Sequence, residues 1–170
     1  RTPSRLQPHV LAIGSSTGGP QALLRVLVDL KWDVSAVPVL ITQHMPPTFT
    51  AILSEHIHRA TGLVCAEGVD GEPVTAGRIY VAPGDFHMEV VRDGSQKIIR
   101  LHQGPRENFC RPAVDPMLRS IVAAYGPSVL ALILTGMGQD GYLGAKDLVE
   151  SGGSLVAQDE QTSVVWGMPG

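Results

Sequence analysis

Three side chains suited to acyl transfer stand in loops between apolar runs of this chain. Gly14-Ser15-Ser16-Thr17-Gly18-Gly19 contains the pattern G-x-S-x-G, with Ser16 at its centre. Between a strand and a helix, this pattern turns the backbone sharply, exposes a serine hydroxyl and leaves the N–H groups of the helix start unpaired. His44, in Gln43-His44-Met45-Pro46-Pro47, follows a second apolar run and is held by a rigid proline break. Imidazole is the side chain whose ordinary pKa suits it to take a proton from serine near neutral pH. Asp140, in Gly136-Met137-Gly138-Gln139-Asp140-Gly141, lies between the most apolar run and a helix. A carboxylate there can orient an imidazole, and the surrounding glycines bare N–H groups for an oxyanion.

Each element has a plainer reading. A glycine-serine turn before a helix also caps it or binds phosphate, a strand-end histidine is often a hydrogen-bonded structural residue, and an aspartate before a helix is often an N-cap. His87 and Asp85 are the rival base and acid, since both lie just after the Pro83-Gly84 break. The nucleotide readings fail on particular residues. A phosphate loop needs lysine where Pro20 stands, and the dinucleotide fingerprint needs glycine at Ser16 and an acid where His44 closes the second run. Core packing does not require a serine, a histidine and an aspartate to terminate three different strands. The order Ser, His, Asp also differs from the α/β-hydrolase order Ser, Asp or Glu, His.

The elements that must position these residues follow from apolar spacing. Val10 to Ile13 reads as a strand, and Leu23, Val26, Leu27 and Leu30 as a helical stripe that Pro20 can open. Val37 to Thr42 and the stripe Phe49, Ile52, Leu53, Ile57 repeat that unit, ending near Gly62. Arg78 to Ala82 is a third strand. His87 to Val91 and Ile98 to His102 flank Asp93-Gly94, which predicts a hairpin at about 87–102 lying antiparallel beside the main sheet. Met117 to Tyr125 reads as a helix, Val129 to Leu134 as a strand buried on both faces, Leu143 to Ser151 as a helix closed by Gly152-Gly153, and Ser154 to Gln158 as a last strand. This alternation predicts an α/β class: a doubly wound, mostly parallel sheet flanked by helices, with its functional crevice at the carboxyl ends of the strands.

Composition narrows the functional classes. At 170 residues the chain is about one domain, expected over 10–170, with polar residues 1–9 as a linker remnant. A net charge of −3 suggests neither a nucleic-acid clamp nor an anionic membrane surface, and no apolar stretch reaches the length of a membrane span. Two cysteines, Cys65 and Cys110, make no disulfide framework, so a reducing, cytoplasmic setting is expected. Cys110 carries no mark of an activated thiolate and is expected to be buried or inert. His56-Ile57-His58 is no metal motif, because neighbours two apart on a helix diverge. No metal or cofactor is expected. Arg106, Arg111 and Arg119, around Phe109 and Pro112, could form either a basic, apolar rim for an acidic partner or a solvated loop.

Four segments carry a family resemblance: Ile13 to Gly19, Thr42 to Pro47, Tyr80 to Asp85 and Leu134 to Gly141. Together they resemble the catalytic domain of CheB, the bacterial chemotaxis protein-glutamate methylesterase, from about Val10 to Pro169. The resemblance implies a serine hydrolase acting on glutamate γ-methyl esters of the cytoplasmic helices of chemoreceptors, with deamidation of particular glutamines as a second acyl transfer. It implies Ser16 as nucleophile, His44 as base and Asp140 as its partner, with oxyanion support around Met137 and Thr17. It further implies an N-terminal phospho-receiver domain in the complete protein and a terminal helix beyond Gly170. The alternative is a receptor-binding module of the same fold without catalysis, which would not need to keep Ser16, His44 and Asp140 together.

Overall fold

Residues 7–170 are described by a computed structural model; residues 1–6 of the expected linker lie outside them. β1 (Val10–Ser15), α1 (Gly19–Val34), β2 (Val39–Gln43) and α2 (Phe49–Thr61) are the two predicted strand-helix units. β3 (Val64–Glu67) and β4 (Arg78–Val81) follow, then the hairpin strands β5 (His87–Asp93) and β6 (Gln96–His102). α3 (Val114–Tyr125), β7 (Val129–Ile133), α4 (Tyr142–Glu150) and β8 (Ser154–Ala157) complete the described chain.

The main sheet has the order β3-β4-β2-β1-β7-β8, and every pairing in it is parallel. Successive strand residues serve opposite faces, as a pleated strand dictates. Leu11 and Ile13 of β1 pack with Leu23, Leu27, Leu53 and Ile57 of α1 and α2. Val10 and Ala12 face the other way, into the layer holding Met117, Leu118 and Ile121 of α3 and Leu148 of α4. The sheet is therefore doubly wound, as expected.

Two features differ from the sequence reading. β3 went unpredicted: it is a four-residue edge strand with alternately exposed residues, too short and too wet to carry an apolar run. The hairpin does not lie beside the main sheet but forms a separate two-stranded sheet. Met88, Val90 and Ile99 bury one face of it in the same core as α3, so a layer beyond the sheet satisfies its apolar face.

From β1 the sheet grows outward on one side through β2 and on the other through β7. The strand order reverses there, and open parallel sheets hold their ligands in the crevice at that switch point. Ser16 leaves β1 there, with its N–H donating to Thr135 O at 2.9 Å across the gap to the β7 loop.

Candidate active site

The β1/β2 register pairs Ser15 with Gln43, so Ser16 and His44 step off adjacent strand ends. The glycines of the first loop play unequal parts. Gly18 holds φ +80°, a left-handed conformation that an L side chain would strain, and caps α1. Gly14 is an ordinary strand residue whose missing side chain makes room for Val114 of α3. The sharp turn thus rests on Gly18 alone.

The two serines separate cleanly. Ser15 is fully buried, and its hydroxyl donates to Gln43 Oε1 at 2.5 Å. The Gln43 amide in turn donates to Ser16 O at 2.8 Å, tying the two strand ends together. Ser16 is half-buried, and among the described residues no hydrogen bond engages its hydroxyl, with His44 or any other group. Its neighbour Thr17 is exposed and Met137 is 66 % exposed. Their backbone N–H groups make no internal hydrogen bond among the described residues.

His44 and Asp140 meet directly, with Nε2 2.6 Å from Oδ2 and the side chains only 13 % and 2 % exposed. Beside a carboxylate, Nε2 must carry the proton it donates, which leaves Nδ1 as the nitrogen free for another partner. Asp140 also accepts the backbone N–H groups of Val114 at 2.7 Å and Asp115 at 3.0 Å. These belong to the start of α3, whereas the sequence placed the carboxylate against the start of the helix that follows it, α4. Burial pushes the Asp140 pKa up, but the His44 hydrogen bond and the two α3 N–H groups outweigh it and hold the pKa below the usual carboxylate value. Burial likewise pulls the His44 imidazolium down, and its hydrogen bond to Asp140 and contacts with Cys110 reverse this, raising its pKa from 6.5 to about 9.

Three further residues join the site without a sequence signal. The Asn108 amide donates to Asp140 Oδ1 at 3.0 Å and to Asp115 Oδ2 at 2.8 Å, bridging two buried carboxylates. Asp115 Oδ1 accepts the Gly144 N–H of α4 at 2.8 Å, so the network His44–Asp140–Asn108–Asp115 ends in backbone. Cys110, expected to be buried or inert, is half-buried with its sulfur 3.6 Å from His44 Nδ1. It lies 66 residues from His44 in sequence, and only the fold brings the two together.

The rivals are committed elsewhere. His87 is fully buried, donating from Nε2 to Pro105 O at 2.8 Å and accepting the Ala113 N–H on Nδ1 at 3.3 Å. It pins the segment that carries Asn108 and Cys110 to the hairpin. Asp85 accepts two hydrogen bonds from Arg111, which, foremost among its neighbours, holds its carboxyl below the usual range. A groove of about 560 Å³ opens beside His44, lined by Met45, Pro46, Pro47, Asp85, Arg106, Cys110, Arg111 and Pro112. Arg111 is fixed in it by Asp85 and by Gln103 O, whereas Arg106 stays more than half exposed, 3.6 Å from Asp85. Arg119 is paired with Glu107, one guanidinium nitrogen, Nη2, donating to both carboxylate oxygens.

The family described as CheB methylesterase matches residues 11–170. A relative from Paramagnetospirillum magneticum, named protein-glutamate methylesterase/protein-glutamine glutaminase 1, is 61 % identical over 163 residues, covering 96 % of this chain and 43 % of its own. One of the same name without the numeral, from Azospirillum brasilense, is 61 % identical over 167 residues, covering 98 % of this chain and 42 % of its own. The chain thus spans less than half the length of these curated relatives. The crystal structure of the CheB methylesterase catalytic domain of Thermotoga maritima superposes with a TM-score of 0.91 at 38 % identity, covering 96 % of this chain and 86 % of that one.

Proposed function

Because this chain belongs to the CheB methylesterase family, we propose that it is the catalytic domain of a protein-glutamate methylesterase working through Ser16, His44 and Asp140. The observation that carries this reading is the 2.6 Å contact of His44 with Asp140 one strand end away from a serine whose hydroxyl no group among the described residues engages. Ser16 Oγ attacks the ester carbonyl carbon while its proton passes to His44 Nδ1. The tetrahedral oxyanion is met by the free N–H groups of Thr17 and Met137, and its collapse expels methanol, which takes the proton back from His44. Water then repeats the cycle on the acyl-serine and releases the glutamate side chain. An amide would follow the same course with ammonia as leaving group, in line with the second activity in the relatives' names.

The substrate we assign is a methylated, glutamate-rich helix of a chemoreceptor on its cytoplasmic side. Arg106, more than half exposed and only loosely paired with Asp85, would meet its carboxylates, while Arg111 shapes the wall. Phe109, 97 % exposed, and Met137 offer apolar contacts from the loops that carry Asn108 and Asp140. No described helix is long and apolar enough to cross a membrane, consistent with a domain that reaches its substrate from water. The span of less than half of each relative leaves room for the N-terminal receiver domain that the reading includes. Methanol release from methylated receptor membranes tests the proposal. Release lost in Ser16→Ala supports it, and release from neither protein, or equally from both, overturns it.

A further inference from the structure

We propose that His44 Nδ1 and Cys110 Sγ form a site for a thiophilic divalent cation, with zinc as its type case, and that occupation of this site silences the esterase. The first ground is distance. Zinc bonds imidazole nitrogen at about 2.0–2.1 Å and thiolate sulfur at about 2.3 Å, which at a tetrahedral angle sets the two donors about 3.6 Å apart. Nδ1 and Sγ stand 3.6 Å apart without any movement.

The surroundings complete the chemistry. His44 donates its other ring nitrogen to Asp140, the carboxylate–histidine arrangement that orients a metal-bound imidazole and strengthens it as a donor. Asp140 is itself fixed by Val114, Asp115 and Asn108, so the ring cannot easily turn away. The donor atoms of His44, Cys110 and Asp140 all lie within 4.8 Å of one another. The short Nε2–Oδ2 contact leaves Asp140 as the outer partner rather than a third ligand. A divalent ion, the Cys110 thiolate and the Asp140 carboxylate sum to zero charge, so the occupied site adds no net charge to a half-buried region. Arg111 does not oppose it, being neutralised by Asp85. His44 and Cys110 both line the groove, from which water can reach an ion held between them. Binding sends two protons to solvent where His44 is imidazolium, one from the thiol and one from Nδ1, and only the thiol proton where the imidazole is already neutral.

Inhibition follows from the same atoms, and this half rests on the function proposed above. The reaction needs the Nδ1 lone pair to receive the Ser16 proton, and a bound ion occupies that lone pair. The ion is thus no cofactor: the chemistry runs without it and stops with it. Cys110 enters only as a ligand.

The test has two arms. In calorimetry under anaerobic conditions, zinc binds the unmodified domain one to one. Cys110→Ser weakens this by at least about tenfold, because a hydroxyl is a poor ligand for a borderline-soft ion, and Asp140→Asn weakens it by about 10- to 100-fold through the imidazole. Cobalt in place of zinc gives a thiolate charge-transfer absorption that Cys110→Ser abolishes. In the methanol-release assay zinc and cobalt inhibit, a chelator restores the rate, magnesium does nothing, and zinc leaves the Cys110→Ser enzyme at the rate this variant itself shows without zinc. Equal zinc affinity in Cys110→Ser, or no cobalt–thiolate absorption, overturns the site. Binding without inhibition of an active enzyme overturns the control. An absence of methanol release before any zinc is added refutes the functional reading and leaves the binding arm to decide the site.

Discussion

Replacing Asn108 with alanine should loosen the acid end of the proposed catalytic network without touching the groove beside His44. The amide gives its two hydrogens to Asp140 Oδ1 and Asp115 Oδ2, on carboxylates that are each 2 % exposed. Asp140 keeps its bonds from Val114, Asp115 and His44, but Asp115 Oδ2 loses its partner while Oδ1 keeps the Gly144 N–H. Hydrogen bonds to charged groups contribute about 1.5–3 kcal/mol each, and water can enter where the exposed Asn108 stood, so the sum belongs at the low end. We expect a loss of about 2 kcal/mol in unfolding free energy, read by urea denaturation. We also expect kcat to fall by about 10- to 100-fold with KM nearly unchanged, in line with the loss of an outer partner of a catalytic group.

Asn108→Asp sharpens the test, because it keeps the shape, removes both donors and sets a third carboxylate against two buried ones. It should be less stable than Asn108→Ala at neutral pH, because three carboxylates then face one another without a donor between them. If Asn108→Ala stays within about 0.5 kcal/mol and twofold of the parent, or Asn108→Asp matches it at every pH, the bridge carries no electrostatic weight and the reasoning is wrong.

Ser16→Ala should cost roughly 10⁴ or more in turnover, while Ser15→Ala, which loses only the Gln43 contact, should keep most of its rate and lose about 1 kcal/mol of stability; comparable residual rates would reverse the assignment. With the His44 pKa raised to about 9, the esterase rate should keep rising between pH 6.5 and 9, and Cys110→Ala should lower the midpoint by removing one raising contact; a plateau by pH 7 would contradict this. The same shift stabilises the fold fully below pH 6.5 and is lost as pH rises through about 9, whereas the contribution of Asp140, whose folded pKa is lowered, is lost as acid passes below its ordinary 3.8, both visible as the pH dependence of urea midpoints. Asp140→Asn should drop kcat by about 10⁴ through the wrong imidazole tautomer, and Asp85→Asn, which frees Arg111 beside the groove, should act chiefly on KM; the opposite ranking would make Asp85 the acid.

The parts of the site that the sequence revealed were those in which a local pattern and a fold rule coincide. Ser16, His44 and Asp140 each follow an apolar run, and a parallel sheet sends all such ends to one crevice, so three loops far apart in sequence could be placed together. The edge strand β3 escaped because half its residues face water. The hairpin turn at Asp93-Gly94 was legible from its dipeptide, and Gly94 adopts φ +63°, but which layer the hairpin would cover was a question of surface area left by α3. Asn108 gave no signal because a lone asparagine in a loop is ordinary turn chemistry. Its role depends on two carboxylates 7 and 32 residues away, one on α3 and one in the loop between β7 and α4. The same holds for Cys110, whose proximity to His44 is a property of the packed 103–113 segment that His87 and Arg111 hold in place.

Asp140 explains why the site tolerates so much burial. Its carboxylate closes the start of α3, satisfying two backbone N–H groups that no side chain within α3 caps, and Oδ2, which takes the Val114 N–H, also orients His44. The helix start supplies positive potential that does not titrate, so it favours an ionised Asp140 whether His44 is neutral or charged. An acid held ionised only by the imidazolium would have its pKa drift upward each time the base gave its proton away. Fixing Asp140 on backbone uncouples the two, and Asp115, accepting from both Asn108 and α4, braces the helix start that does the fixing. The fold and the chemistry therefore share one carboxylate. A substitution there cannot be read as purely catalytic until the unfolding free energy of Asp140→Asn has been measured beside its rate: a lost helix cap costs about 0.5–2 kcal/mol, and a wrong tautomer costs turnover alone.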